Sequence, residues 1–175
     1  MARRARAAKL AGRGARRDGA PRASRPHMPG YGVPAGAKGM LPWAWTERRL
    51  VRSHNYWLTT VRPDGRPHAM PVWAVWVDQA LYFSTGRGSR KARNLARNPR
   101  CIVCTERAAE PVIVEGVART LRDRRLLPRL ARAYHAKYKP WKLDTSIGPV
   151  YAMRPRIVFA VPEASFPDAT TRWHF

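Results

Sequence analysis

The alternation of apolar and polar residues predicts a chain built mainly from β-strands. Aromatic and β-branched residues dominate 55–61, 68–77 and 80–85, and turn sequences separate these runs, Arg62-Pro-Asp-Gly-Arg66 first and Asp78-Gln79 second. Short turns join strands that run in opposite directions. We therefore predict that the three runs form an antiparallel meander.

The remaining periodic segments add three strands and three helices. Strands are predicted at 100–106, 112–121 and 150–161, and helices at 43–52 (with Thr46 as a candidate cap), 89–98 and 123–138. No β-α-β succession requires a parallel sheet. About six antiparallel strands with a few helices most easily close into a small barrel.

Composition supports a globular body and sets the first residues apart. The chain has 175 residues, 45% of them hydrophobic, and 34 Lys and Arg against 11 Asp and Glu. Nine of the basic residues and one acid fall in 1–27. We predict that 1–40 is a basic, Gly- and Pro-rich, disordered extension and that 41–175 is one domain. The extension is open to three interpretations: a start site upstream of Met28, a solvated tail, or an arm that binds polyanions.

Cysteine use and hydropathy favour a cytoplasmic protein without a membrane partner. Cys101 and Cys104 are the only cysteines, and their spacing of three places them on opposite faces of a strand. We expect both to be reduced, with no metal site, because no second Cys or His cluster accompanies them. No apolar segment reaches the length of a membrane span or follows the Arg-rich start as in a secretory signal.

The stretch Gly86-Arg87-Gly88-Ser89-Arg90-Lys91 carries the clearest chemistry. It follows a predicted strand that ends at Thr85 and opens a predicted helix. The first amides of a helix and the helix dipole favour an anion, and Ser89, Arg90 and Lys91 add a hydroxyl and positive charge. The alternative is that Ser89 only caps the helix and that the basic residues are solvated. The glycine spacing matches neither a P-loop nor a dinucleotide-binding loop.

The motifs RPDGRPHAMPV, LYFSTG, SRKARNL and NPR, in this order, resemble the flavin-binding split barrels related to pyridoxamine 5′-phosphate oxidase. The resemblance covers about residues 41–161, and the ending Thr171-Arg172-Trp173 is similar to that of one bacterial branch. It implies a mainly β fold, a six-stranded antiparallel split barrel of Greek-key type. It also implies a homodimer that holds FMN, or the deazaflavin F420, at the subunit interface.

The same resemblance implies which residues contact the cofactor. The predicted cofactor-binding residues are Met70, Pro71, Val72, Trp73, Ser84, Thr85, Ser89, Arg90, Lys91, Asn94 and Trp173. The strand from Met70 would lie along the ring system, and Ser89 to Lys91 would hold the phosphate. Pro71 has two interpretations, a strand that faces a ligand or an ordinary edge strand.

The chain departs from true pyridoxamine phosphate oxidases at two positions. Those enzymes carry an arginine and a lysine on the cofactor strand where this chain has Met70 and Val75. We therefore predict an F420- or FMN-dependent oxidoreductase that transfers hydride to a small conjugated or heteroaromatic substrate. No catalytic residue is predicted, because the hydride chemistry belongs to the cofactor.

Two other function classes remain open from the sequence. One is a flavin-binding or sensor module without turnover. The other is a protein that binds polyanions or nucleic acid through its basic tail. We do not expect nucleic-acid binding, because the aromatic residues lie mainly in strands and the tail has none to stack on bases.

Overall fold

A computed structural model describes residues 21–175, and the first twenty residues of the predicted basic arm lie outside this range. The described part contains nine strands: β1 Arg22–Ser24, β2 Tyr56–Val61, β3 Pro67–Val72, β4 Ala74–Val77, β5 Ala80–Ser84, β6 Arg100–Thr105, β7 Val112–Thr120, β8 Val150–Ala160 and β9 Thr171–His174. The helices are α1 Trp43–Arg52, α2 Arg90–Arg97 and α3 Leu127–Tyr138, with short 3-10 turns at Arg124–Leu126 and Glu163–Ser165.

The predicted elements are confirmed, but the strand count rises from six to nine. The predicted run at 68–77 divides at Trp73 into β3 and β4, and two short terminal strands, β1 and β9, pair with each other. Terminal strands this short carry too little periodicity to be predicted. Thr46 does not cap α1, because Pro42 occupies the cap position and Thr46 is buried inside the helix. No helix in residues 21–175 is long and apolar enough to cross a membrane.

All strand pairs are antiparallel and form one branched sheet. The main path runs β1-β9-β8-β7-β6-β2-β3, while β5 pairs with β8 and β4 pairs with β5. The consecutive strands β3 and β4 therefore lie at opposite ends of the sheet and do not pair with each other. The chain crosses between them at Trp73. We call this unpaired junction the seam of the barrel.

Apolar side chains fill the barrel and also cover one outer face. The interior core includes Leu58, Phe83, Val114, Met153 and Trp173, all buried. A second cluster lies between α3 and the pair β4–β5, and its buried members are Val75, Ala80, Tyr82, Leu130, Tyr138 and Val150. Because both faces of β4 and β5 are covered, their sequences are almost continuously apolar rather than alternating.

The segment before residue 40 takes part in the fold, and the predicted domain boundary at residue 40 does not match this arrangement. Strand β1 pairs with β9. The Arg25 guanidinium donates to four carbonyl oxygens, those of Gly36, Lys38, Asp168 and Thr170, at 2.6 to 2.9 Å. Composition alone suggests disorder here because it does not reveal these tertiary partners.

The turn at Asp78-Gln79 and the placement of Cys101 and Cys104 on opposite faces of β6 follow the prediction. Asp78 and Gln79 both have positive φ, as a tight two-residue hairpin turn requires. Cys101 is buried and Cys104 is half-buried, and both are free thiols.

Candidate functional site

A pocket of about 350 Å³ lies at the seam of the barrel, within the usual size range for small-ligand sites. Four structural elements meet there: the end of β3, the end of β5, the start of α2 and the middle of α3. The lining residues are Asn55, Pro71, Val72, Trp73, Ser84, Thr85, Lys91 and Tyr134.

The start of α2 forms one end of the pocket. The Ser89 hydroxyl accepts a hydrogen bond from the Ala92 amide at 3.1 Å and lies 3.1 Å from the Thr85 hydroxyl. Ser89 is therefore the N-cap of α2, which is one part of the alternative offered by the sequence; the other part, solvated basic residues, does not describe the half-buried Lys91. The first amides of a helix have no acceptor within the helix, and the helix dipole is positive at this end. This end of the pocket is suited to an anion.

Lys91 brings positive charge to the same end. Its side chain is half-buried and lines the pocket, and burial lowers its pKa because the ammonium loses contact with water. Lys91 forms no ion pair with any Asp or Glu of the described residues. The lining contains no carboxylate either. A bound anion would supply the missing counter-charge.

Trp73 forms the other end of the pocket as a fixed aromatic plate. Its indole stacks on the Tyr138 ring, with 4.9 Å between centroids and 12° between planes. Its Nε1 donates to the Asn55 side-chain oxygen at 3.1 Å. Stacking and the hydrogen bond together fix both the plane and the rotation of the indole.

Asn55 is in turn held by Glu106. The Glu106 carboxylate accepts from the backbone amides of His54 and Asn55 at 2.7 and 3.1 Å, and from Asn55 Nδ2 at 2.9 Å. Burial acts to raise the pKa of Glu106, but these hydrogen bonds outweigh it and hold the pKa below its ordinary value. A charged Glu106 thus orients Asn55 so that its oxygen faces Trp73.

Side chains of α3 hold the seam open. The Tyr138 hydroxyl lies 2.8 Å from both the amide and the carbonyl of Ala74. Lys137 Nζ donates to the Ala74 carbonyl at 3.0 Å and to the Tyr56 hydroxyl at 2.7 Å. Burial lowers the pKa of Lys137 to about 8. These groups satisfy the backbone of Ala74 in place of a neighbouring strand, so β4 need not pair with β3.

The structure brings six of the eleven predicted cofactor residues together in the pocket lining: Pro71, Val72, Trp73, Ser84, Thr85 and Lys91. Pro71 also lies on β3, the strand at the end of the sheet, so both interpretations of this proline agree with the structure. Ser89 contacts the lining through Thr85.

The other four predicted residues lie outside the lining. Arg90 is exposed on the first turn of α2, and Met70 is 44% exposed on β3 just before the lining begins. Asn94 is fully buried on the inner face of α2 and donates to the Thr60 hydroxyl at 2.9 Å. Trp173 is 1% exposed in the barrel core, with its ring 5.5 Å from that of Trp43. The structure does not bring Asn94 or Trp173 to the pocket.

Two lining residues were not predicted, Asn55 and Tyr134. Asn55 directly precedes β2, and the only signal in the sequence is a polar residue at the start of an aromatic strand. Tyr134 follows the apolar spacing of α3, which is equally typical of a core residue.

Comparison with known proteins supports this fold. The family described as pyridoxamine 5′-phosphate oxidase matches residues 46–166. Among solved structures, the chain is similar to an F420 reductase, with 24% identity and a TM-score of 0.51 over 64% of this chain and 94% of that chain. No match was found among curated proteins.

Two further solved structures that are similar to this chain are named for different ligands. One is a pyridoxamine 5′-phosphate oxidase-related, FMN binding protein from Nostoc punctiforme, with 19% identity and a TM-score of 0.51, over 73% of this chain and 87% of that chain. The other is a heme binding protein from Mycobacterium smegmatis, with 26% identity and a TM-score of 0.54, over 70% of this chain and 55% of that chain.

Proposed function

Because this chain belongs to the pyridoxamine 5′-phosphate oxidase family, we propose that its pocket binds FMN or F420 and that the protein is an oxidoreductase. The substrate is a small conjugated or heteroaromatic molecule that receives hydride. One observation carries the proposal: a single pocket offers an anion-binding end at α2 and an aromatic end at Trp73. Both cofactors combine a phosphate group with a planar ring system.

The residues of the pocket fit these two parts. Lys91, the Ser89 hydroxyl and the first amides of α2 would hold the phosphate, with Arg90 close by on the helix surface. The backbone of Pro71 to Trp73 would lie along the ring system, since one edge of β3 has no strand partner within residues 21–175. Ser84 and Thr85 lie between these two ends of the lining.

The chain supplies binding and orientation, and the bound cofactor would supply the hydride chemistry. The described lining contains no carboxylate and no imidazole that would act as a general acid or base. The lining contributes the fixed position of Trp73 and the cationic end at Lys91. We assign no catalytic residue.

Activity on pyridoxamine 5′-phosphate is not part of the proposal. Val75 occupies the position where those oxidases carry a lysine, and its side chain packs under α3 with Leu130 and Tyr138. Met70 stands where they carry an arginine and brings no charge. The cofactor strand therefore lacks both cations.

We also propose a homodimer that forms through the outer face of the sheet. A largely apolar groove of about 390 Å³ crosses β2, β6, β7 and β8, and its lining includes Val61, Ile102, Val117 and Ile157. Trp57 is 49% exposed on the same sheet. Apolar patches of this kind are typical of subunit contacts.

Titration with FMN and with F420 tests the proposal. We expect one of them to bind with a Kd of about 1 µM or tighter. Failure of both to bind at about 100 µM would overturn it. Reduction of the bound cofactor followed by mixing with candidate acceptors separates an enzyme from a sensor, because a sensor would not accelerate reoxidation beyond the rate of the free cofactor.

A heme-binding alternative is tested in the same experiment. None of the lining residues among those described is His, Cys or Met, the side chains that most often hold heme iron. We therefore expect the absorption band of heme to remain as it is in the absence of the protein. A change in the heme band that saturates at one heme per chain, together with loss of FMN and F420 binding, would favour heme instead.

A further inference from the structure

The segment 139–149 between α3 and β8, here called the rim loop, touches the pocket at two places. Near its end, the Ile147 carbonyl accepts from the Arg87 amide at 3.2 Å, and the Pro149 carbonyl accepts from the Ser84 hydroxyl at 3.3 Å. Gly148 packs so closely that a Cβ there would lie 2.1 Å from the Thr85 carbonyl oxygen. The end of the rim loop is therefore fixed against the phosphate side of the pocket.

The start of the rim loop lies on the aromatic side. Trp141 donates its amide to the Tyr138 carbonyl at 2.8 Å, and its own carbonyl lies 3.1 Å from His135 Nδ1. Its indole lies 6.1 Å from that of Trp73, with 51° between the rings. Trp73 lies 6.4 Å from Tyr134 at 58°. Trp141 thus extends the aromatic wall of the pocket outward.

Both ends of the rim loop leave a large apolar side chain in water. Trp141 is 61% exposed and Ile147 is 60% exposed. Such exposure forfeits the stabilisation that burial would give, about 25 cal/mol for each Å² of apolar surface. Because Trp141 lies beside Trp73, its exposed ring offers an apolar face that a ligand bound next to the pocket would cover.

Resting on the proposed function, we infer that the rim loop binds the hydride acceptor and that the acceptor is a planar, apolar, conjugated ring system. Trp141 supplies a ring face for stacking, and Ile147 adds a second exposed apolar side chain on the same loop. Aromatic rings pack on one another in offset or tilted geometry, which a saturated ring of the same size cannot reproduce. The cofactor would occupy the lined pocket, and the acceptor would lie between it and Trp141.

Equilibrium dialysis of the cofactor-loaded protein tests this inference without a measurement of turnover. The probes are menadione, a planar naphthoquinone, and 2-decalone, a saturated two-ring ketone of similar size. Oxidised cofactor and menadione do not exchange electrons, so only binding is measured. We expect menadione to bind at least about 10-fold more tightly than 2-decalone.

Two variants of Trp141 test how much its aromatic ring contributes to menadione binding. Trp141→Ala should weaken menadione binding about 10-fold, and Trp141→Phe about 2-fold, because the smaller ring retains part of the stacking. The affinity for the cofactor should stay within about 2-fold in both variants, since Trp141 is not part of the pocket lining. Because Trp141 is exposed, we expect both variants to fold normally. Circular dichroism checks this.

Three results would overturn the inference while the proposed function stands. These are equal menadione affinity in wild type and Trp141→Ala, equal affinity for menadione and 2-decalone, and a changed oligomeric state in Trp141→Ala. The last result would make the rim loop a contact with a second copy of the chain. If no cofactor can be loaded, the proposed function fails first, and this inference fails with it.

Discussion

Two basic regions of this molecule differ in how they present their charge. At the start of α2, Lys91 is half-buried beside the Ser89 and Thr85 hydroxyls, at the positive end of a helix. A second region, here called the arginine groove, has a volume of about 800 Å³ across β7 and β8. Its basic residues are Arg119, Arg122, Arg154 and Arg156, all exposed.

The arginine groove has more charge but less organisation. None of its four arginines pairs with an Asp or Glu of the described residues, and its one acid, Asp123, bonds to Arg125 instead. Exposed guanidinium groups are hydrated and screened by salt, so each contributes little to a specific contact. At α2, backbone amides, a hydroxyl and a partly desolvated ammonium converge. Specific anion binding depends on this convergence rather than on the number of cations.

The largest effect on cofactor affinity is expected when a positive charge is removed at α2, and removal of a charge from the arginine groove serves as its control. Lys91→Ala should weaken the binding of FMN or F420 about 10- to 100-fold, because a hydrogen bond to a charged group contributes about 1.5–3 kcal/mol. Arg154→Ala removes an equal charge from the arginine groove and should change the Kd by about 2-fold or less. Isothermal titration calorimetry at fixed ionic strength measures both. Equal losses in the two variants would show that only net charge matters.

Variants of Ser89 distinguish its role as the helix cap from a role in binding phosphate. Ser89→Ala should lower the free energy of unfolding by about 1 kcal/mol, since the bond to the Ala92 amide is lost. Ser89→Asp retains a good cap but places a negative charge at the anion site. We expect near wild-type stability in urea for Ser89→Asp, together with cofactor binding weaker than in Ser89→Ala. Cofactor binding as tight in Ser89→Asp as in wild type would argue against a phosphate at this position.

The local pattern around α2 could be predicted from the sequence because its signals are local. A strand end, two glycines and Ser89 before a helical run already place amides and cations together. Asn55 and Tyr134 could not be predicted, since their place in the lining depends on the seam and on how α3 packs. The seven tryptophans are not distinguishable by sequence either. Trp73 lies at the seam, whereas Trp173 fills the barrel core.

The pH dependence of binding should identify Lys91. The side-chain amine of Lys91 must be protonated to attract phosphate, and burial lowers its pKa below the ordinary value. Above about pH 7 the phosphate is already fully charged, so affinity should fall as the pH rises through the pKa of Lys91. The fall should begin at a lower pH than an ordinary lysine would give, and Lys91→Ala should abolish it. An unchanged pH profile in Lys91→Ala would show that Lys91 does not hold the phosphate.

Lys137 provides a half-buried cation for comparison that lies outside the pocket lining. Its pKa is about 8 in the folded protein, below the ordinary lysine value of about 10.4, so the unfolded chain binds more protons between these pH values. The free energy of unfolding should therefore rise from about pH 8 to about pH 10 through this group. Lys137→Met should lose that rise. Urea unfolding at pH 7 and pH 10 measures the difference.

The most direct test of the central claim compares FMN with riboflavin, or F420 with its phosphate-free deazaflavin chromophore. Each pair shares the ring system and differs in the phosphate end. With the phosphate held at α2, the phosphorylated member should bind about 100-fold more tightly in wild type, and the ratio should fall about 10-fold in Lys91→Ala. Equal affinity for both members of each pair in wild type would contradict an anion site at the start of α2.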